Sequence, residues 1–159
     1  MINSTVNMTV DKYVMNVFLI DFDARLQAWH HLKKKLIDSS ITQTCVEVDA
    51  WWQQAPLINH HLHPSDIENW PTPWELLAEN TYCTISRGLG ICYTLLLLGI
   101  QNIDFSIGKD DNNEEVALVL VDHAKYILNY YPNTVLSNTL HDFKINNSLE
   151  LTKLLEKIK

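Results

Sequence analysis

The feature that most constrains this chain is the stretch from residue 71 to residue 103, which carries a cysteine, Cys83, and then an apolar run. Its two ends are marked by residues with strong helix-boundary preferences: Thr72, Pro73, Glu75 and Gly99. Threonine followed three residues later by glutamate forms a capping box, proline suits the first helical position, and glycine is a common C-terminal cap. We therefore predict one long buried helix from Trp74 to about Leu98, with an interruption near residues 80–81 as an alternative.

After this helix the sequence changes its period from the three- and four-residue steps of a helix to the two-residue step of strands. Residues 109–114 are a polar turn between the first two strands, and Asp122 with His123 forms a tight turn between the next two. The predicted strands are residues 103–107, 116–121, 125–131 and 134–136. Three of them follow one another through short turns, so we expect an antiparallel sheet.

Two amphipathic helices are predicted before the loop that starts at Pro56. Asp23 offers an N-cap for the first, which runs to about Asp38. The second covers residues 42–54, and its inward side chains are Cys45, Val46, Val48 and Trp52. Residues 12–20 are β-branched and aromatic enough for a strand, with a buried extended segment as the alternative.

The C-terminus completes the predicted architecture with a terminal helix over residues 147–159, because Asn147 and Glu150 form a cap-like pair. The fold class is therefore α+β, with N-terminal helices and a long central helix packed on a small antiparallel sheet. A length of 159 residues with 47% hydrophobic residues suits a single domain spanning residues 1–159. Residues 1–10 are expected to be a flexible lead-in.

Charge and hydropathy exclude two classes of partner. The segment from Thr44 to His123 holds 12 acidic residues and 2 basic ones, whereas a nucleic-acid binder normally carries a basic stripe on its core. The most apolar run, Ile91 to Ile100, has half of the length that a membrane-spanning helix needs. We expect proteins as partners, with self-association as one option, and neither nucleic acid nor membrane.

Cys83 is the first candidate for chemistry. A catalytic cysteine commonly lies at a helix N-terminus, where the helix dipole lowers the pKa of the thiol. Cys83 meets that condition only if the helix breaks near residues 80–81 and restarts there. In an unbroken helix it is an ordinary core cysteine, since free cysteine is among the most buried residue types.

The spacing from Cys83 to Gly99 and Ile100 resembles the transglutaminase-like superfamily of papain-like cysteine enzymes. In that family a cysteine opens a helix that ends about four turns later in Leu-Gly-Ile, before a strand. The hairpin Val-Ala-Leu-Val-Leu-Val-Asp and Lys-Tyr-Ile-Leu-Asn-Tyr-Tyr-Pro is similar to the family's second and third strands, which carry a histidine and then an aspartate. The resemblance covers residues 80–133 and implies the family's fold.

The resemblance also implies which residues would form the active site. Cys83 matches the nucleophile, Val116 falls at the histidine position and Asn129 at the aspartate position. Valine cannot accept a proton, so the thiol would lack its general base. His123 could replace that base only in another register, because a straight strand would hold it roughly 20 Å from the Val116 position.

Two further clusters contain residue types that bind metals or partner proteins. His60, His61, His63 and Asp66 are metal-ligand types, but their spacing matches no zinc motif, and a solvent-facing histidine loop is the favoured interpretation, so no metal or cofactor is expected. Four tryptophans lie close to prolines: Trp51, Trp52, Trp70 and Trp74. They predict either a partner-binding surface or a rigid loop packed over the central helix.

The segments Asp49-Ala-Trp-Trp, Asp66-Ile-Glu-Asn-Trp-Pro-Thr-Pro-Trp-Glu-Leu-Leu and Asn80-Thr-Tyr-Cys also resemble small uncharacterised proteins of tailed bacteriophages. This resemblance implies a virion or the cytoplasm of an infected bacterium. The leading hypothesis is a non-catalytic phage protein with a transglutaminase-like core that acts through protein contacts. The alternatives are an active cysteine hydrolase or acyltransferase that uses Cys83, and a small acidic inhibitor of a host protein.

Overall fold

The computed structural model describes residues 16–58, 62–131, 134–137, 139–149 and 151–158. Five α-helices lie in this part of the chain: α1 (Phe22–Leu36), α2 (Ile41–Gln53), α3 (Pro73–Leu77), α4 (Thr84–Leu97) and α5 (Leu151–Leu155). The five strands are β1 (Ile103–Lys109), β2 (Glu115–Val121), β3 (Tyr126–Tyr131), β4 (Thr134–Ser137) and β5 (Lys144–Leu149). Four short 3-10 segments cover Val17–Leu19, Ile67–Asn69, Leu140–Asp142 and Glu156–Ile158.

The strands form one antiparallel sheet in the order β4-β3-β2-β1-β5. Helix α2 packs on α4, and α4 packs on the three central strands. The alternation of side chains along β2 divides the apolar residues into two clusters on opposite faces of the sheet. The larger cluster lies between helices and sheet, so the α+β class predicted from the sequence is confirmed.

Two glycines permit close approaches that larger residues would block. A Cβ at Gly90 in α4 would lie 2.6 Å from the indole ring of Trp52, so α2 and α4 can pack closely here. A Cβ at Gly108 would lie within contact distance of the Lys144 carbonyl oxygen, at the irregularity where β1 pairs with β5. Both positions therefore favour glycine, because any other residue would place a Cβ where a neighbouring group already lies.

The long helix predicted from Trp74 to Leu98 is wrong, because the structure divides it into α3 and α4. The capping box of Thr72 and Glu75 is present, but α3 ends after five residues at Leu77. The phenolic oxygen of Tyr82 then donates to the carbonyl oxygens of Leu76 and Glu79, which stabilises the loop between the helices. The interruption offered as an alternative is what the structure contains.

Other boundaries also needed correction. The N-cap of α1 is Asp21 rather than Asp23, Val46 is exposed rather than inward, and residues 17–19 form a 3-10 turn rather than a strand. The terminal helix predicted over residues 147–159 is wrong at its start, because Lys144–Leu149 form the edge strand β5 and the helix is short. The expectation for residues 1–10 lies outside the described residues.

A buried arginine clamps the N-terminal segment to the loop after α3. Arg25 is nearly fully buried, and its guanidinium donates five hydrogen bonds to backbone carbonyls. The acceptors are Val17, Phe18, Ile20, Leu77 and Glu79. Because one guanidinium binds carbonyls of both segments, Arg25 fixes the loop after α3, which leads to Cys83, against the N-terminal 3-10 segment.

Candidate functional site

Cys83 lies at the start of α4, where it is the N-cap residue. Its Sγ accepts a hydrogen bond from the backbone N–H of Ser86 at 3.5 Å, and the Ser86 hydroxyl accepts one from the Cys83 N–H at 2.8 Å. These reciprocal bonds form a capping box in which a thiol replaces the usual hydroxyl. The thiol therefore has a structural role at the end of the helix.

The Cys83 side chain is only 1% exposed. The five histidines that the structure describes are all exposed, so none is buried with the thiol: His30, His31, His63, His123 and His141. His123 lies in the β2–β3 turn, beyond the Val121–Tyr126 pair that closes the hairpin. Ala117 lies beside the start of α4, six residues before His123. At a rise of roughly 3.3 Å per residue along the strand, the two residues are about 20 Å apart.

Val116, which the resemblance assigns to the histidine position, lies near the start of β2. Val116 belongs to the apolar cluster on the face of the sheet opposite α4, together with Leu118 and Leu120. Its neighbour Ala117 faces the helices, because successive residues of a strand point to opposite faces. Val116 nevertheless lines a groove with Thr84, and Ala117 shares the Asn129 amide with Thr84, so both β2 residues lie near the start of α4 and neither can act as a base.

Asn129, placed at the aspartate position by the resemblance, lies at the N-terminus of α4. Its Nδ2 donates to the carbonyl oxygens of Thr84 at 3.0 Å and Ala117 at 2.7 Å. Its backbone has a positive φ of 69°, within the irregular stretch of the β3–β4 ladder. This conformation lets one amide side chain join α4 to β2 and β3.

Two buried charged groups flank Asn129. The Asn129 N–H donates to Oδ1 of Asp49 at 2.9 Å, and Nε of Arg87 donates to Oδ1 of Asn129 at 2.8 Å. Burial raises the pKa of Asp49, although hydrogen bonds from Asn129 and Gln53 and the charge of Arg87 oppose the rise. Burial lowers the pKa of Arg87, and Asp49 opposes that change. Each charge partly compensates the desolvation of the other.

An open groove of about 380 Å³ lies over this network. Its floor includes the buried residues Arg87 and Asn129 and the half-buried Thr84, and Cys83 is not among the described residues that line it. Two exposed apolar side chains flank it, Leu57 at 44% and Tyr131 at 52% exposed. The groove therefore combines a polar floor with apolar sides.

Backbone pairing fixes one side of this groove. Leu57 forms an isolated parallel bridge with Tyr82, and the Ile58 N–H donates to the Tyr82 carbonyl at 2.8 Å. The loop after α2 is therefore tied to the residue that precedes Cys83. The rim on the other side is the β1–β2 turn, with Asp110, Glu114 and Glu115.

The four tryptophans do not form a surface cluster. Trp51, Trp52 and Trp70 are buried in the main core, and only Trp74 is substantially exposed, at 40%. Nε1 of Trp52 donates to Thr94, and Nε1 of Trp70 donates to the His63 carbonyl. Of the two interpretations of these residues, the structure therefore supports core packing for three of them.

The histidine-rich loop gives no metal site in the described part of the chain. His63 is exposed and its Nδ1 lies 2.8 Å from the Ser65 hydroxyl, while Asp66 accepts from Asn69. His60 and His61 lie outside the described residues. No group of three or more potential ligands occurs among the residues that are described. A search of the same residues also finds no helix of the length and apolarity required to cross a membrane.

Sequence reasoning missed three contributors to the groove and its support: Thr84, Arg87 and Asp49. A signal was present, because Arg87 is one of two bases in the acidic segment and lies in an otherwise apolar helix. A charge in such a helix is buried only with a partner. Thr84 follows Cys83 directly, and no sequence pattern distinguishes which of the two faces the groove.

Comparison with solved structures shows the same fold. The chain is similar to Legionella pneumophila LapG, with a TM-score of 0.63 and 16% identity over 92% of this chain and 81% of that chain. The calcium-bound form of LapG gives a TM-score of 0.63, 14% identity, and coverages of 92% and 83%. The likeness shows that the fold is transglutaminase-like. No protein-family profile and no curated protein sequence matches this chain.

Proposed function

We propose that this chain is a non-catalytic protein with a transglutaminase-like core, which acts by holding a segment of another protein in the groove beside α4. The observation that carries the proposal is the position of Cys83. Its thiol caps α4 and is 1% exposed, while the neighbouring groove is lined by Thr84, Arg87 and Asn129.

Cysteine catalysis requires a thiol that reaches the substrate and a base within hydrogen-bond distance of it. The Cys83 Sγ already accepts the Ser86 N–H, and the facing residue on β2 is Ala117. The position implied for the third catalytic group holds Asn129, which spends both amide hydrogens on backbone carbonyls. These positions therefore hold a buried helix cap, an alanine and an amide, and none of the three side chains is a base.

The groove retains what a protein ligand needs. Leu57 and Tyr131 provide exposed apolar side chains on its borders, and aromatic anchors supply much of the binding energy at interfaces. The resemblance to tailed-phage proteins extends the proposal to a virion or an infected bacterium. Mass spectrometry of purified particles tests that extension, because a structural protein is recovered at constant stoichiometry and an intracellular one is not recovered.

Site-specific photo-crosslinking tests the binding role. A photoreactive residue replaces Tyr131 at the groove, and a second variant carries it at Ile37, which is exposed at the end of α1. We expect the groove variant alone to capture one defined partner. Leu57→Asp should abolish that adduct, whereas the matched change Leu19→Asp, on the exposed N-terminal 3-10 turn, should leave it intact.

The purified partner then distinguishes the alternatives. The proposal expects its mass to be unchanged after incubation with this protein. Cleavage or acylation that disappears in Cys83→Ala would establish the cysteine enzyme instead. An adduct with a second copy of the chain identifies self-association, and equal capture from both positions overturns the groove as the binding site.

A further inference from the structure

The β1–β2 turn places three carboxylates at the mouth of the groove: Asp110, Glu114 and Glu115. Hydrogen bonds from the Glu114 N–H and the Tyr130 hydroxyl lower the pKa of Asp110, so it stays ionised at neutral pH. No described residue forms an ion pair with Glu114 or Glu115, although Lys109 is the β1 neighbour of Glu115. Glu114 and Glu115 are both exposed, so a cationic group of a ligand can contact them.

Arg87 is the one base among the described residues that line the groove. Arg87 is 8% exposed, bonds Asn129, and has the Asp49 carboxylate close enough to affect its pKa. The Asp49 carboxylate therefore partly compensates the charge of Arg87, whereas Glu114 and Glu115 have no ion-pair partner among the described residues. An approaching ligand meets a negative rim first, which favours a cationic partner.

The groove therefore combines a negative rim, apolar sides at Leu57 and Tyr131, and polar groups on its floor. We propose that its occupant is an extended basic segment of the partner protein, an inference that rests on the proposed function. A lysine or arginine side chain of that segment meets Glu114 and Glu115. An apolar side chain lies between Leu57 and Tyr131, and Arg87 donates to a backbone carbonyl of the segment.

Three fluorescein-labelled synthetic peptides test this inference with the intact protein. The three peptides have the same leucine, tyrosine and glycine residues at fixed positions. They differ only at the remaining positions, which hold lysine in one peptide, glutamine in the second and glutamate in the third. Fluorescence anisotropy should give the tightest binding for the lysine peptide, weakening as salt rises. In Glu114→Gln/Glu115→Gln its affinity should fall by about threefold to tenfold, since exposed charge pairs contribute little each.

The matched control is Asp23→Asn/Asp38→Asn, which removes the same charge from exposed positions on and after α1 and should leave the affinity unchanged. If all three peptides bind equally and Leu57→Asp weakens all of them, the basic preference is wrong while the groove remains the binding site. If the lysine peptide binds Leu57→Asp as well as the wild type, the groove itself fails. If none of the three peptides binds, the inference is wrong. The crosslinking experiment still tests the proposed function independently.

Discussion

Thr94 is a buried core residue whose hydroxyl makes three hydrogen bonds, and its replacement by valine gives a sharp test of the packing. The hydroxyl accepts the indole N–H of Trp29 at 2.9 Å and that of Trp52 at 3.0 Å, and donates to the Gly90 carbonyl at 2.8 Å. Thr94 and both tryptophans are fully buried. Valine keeps the shape and leaves two indole N–H groups without an acceptor.

The expected cost follows from those two donors. Each stranded buried donor costs about 1–3 kcal/mol, and the added methyl returns roughly 1 kcal/mol of apolar burial. Thr94→Val should therefore lower the free energy of unfolding by about 1–5 kcal/mol, a substantial share of the 5–15 kcal/mol typical of folded proteins.

Urea unfolding followed by tryptophan fluorescence measures this change. Thr94→Ser keeps the acceptor and should lose only about 1 kcal/mol for the missing methyl group. Thr81→Val makes the same substitution at an exposed loop position and should be nearly neutral. A Thr94→Val variant within about 0.5 kcal/mol of the wild type would refute the role of the shared hydroxyl.

Three more predictions concern stability. Arg25→Met removes the donor to five carbonyls and should destabilise by at least about 3 kcal/mol in urea unfolding; wild-type stability would contradict the clamp. Gly90→Ala forces a Cβ against the Trp52 ring and should lower the melting temperature despite better helix propensity, at a cost of about 1–3 kcal/mol; an increase would show that the ring can move. Asp49 has a raised pKa in the folded state, so the folded protein binds more protons between the unfolded and folded values. Stability should fall there as pH rises, and Asp49→Asn should remove that slope in unfolding measurements at a pH series; parallel curves would contradict the raised pKa.

The central hairpin was predictable because its signals are local. The continuous apolar run at Val116–Val121, the turn at Asp122 and the return strand are each marked by residues within a few positions of one another, and the structure contains them. The edge strand β5 was not predictable, because Lys144–Leu149 is mostly polar and its partners in β1 lie 35–44 residues earlier in the sequence. The cap-like Asn147 then favoured a helix.

The site illustrates a finer limit. A shift of one residue exchanges the two faces of a strand, and the spacing from Cys83 cannot distinguish Val116, in the cluster on the far face, from Ala117, in the cluster that faces the helices. The same applies at the start of α4, where Cys83 caps the helix and Thr84 lines the groove. Sequence patterns locate helix ends only to within a few residues. The chemistry of this site depends on a difference of a single residue at the start of α4.

The reactivity of the three cysteines tests the central claim most directly. Cys83, Cys45 and Cys92 are all buried, and burial raises the pKa of Cys45 to about 12 and also raises that of Cys92. The folded protein is treated with iodoacetamide across a pH series, and each alkylated site is quantified by mass spectrometry. A structural cap predicts that Cys83 is as protected as the two core cysteines until the protein unfolds. Rapid alkylation of Cys83 alone below pH 7 would identify an activated thiolate and contradict the non-catalytic account.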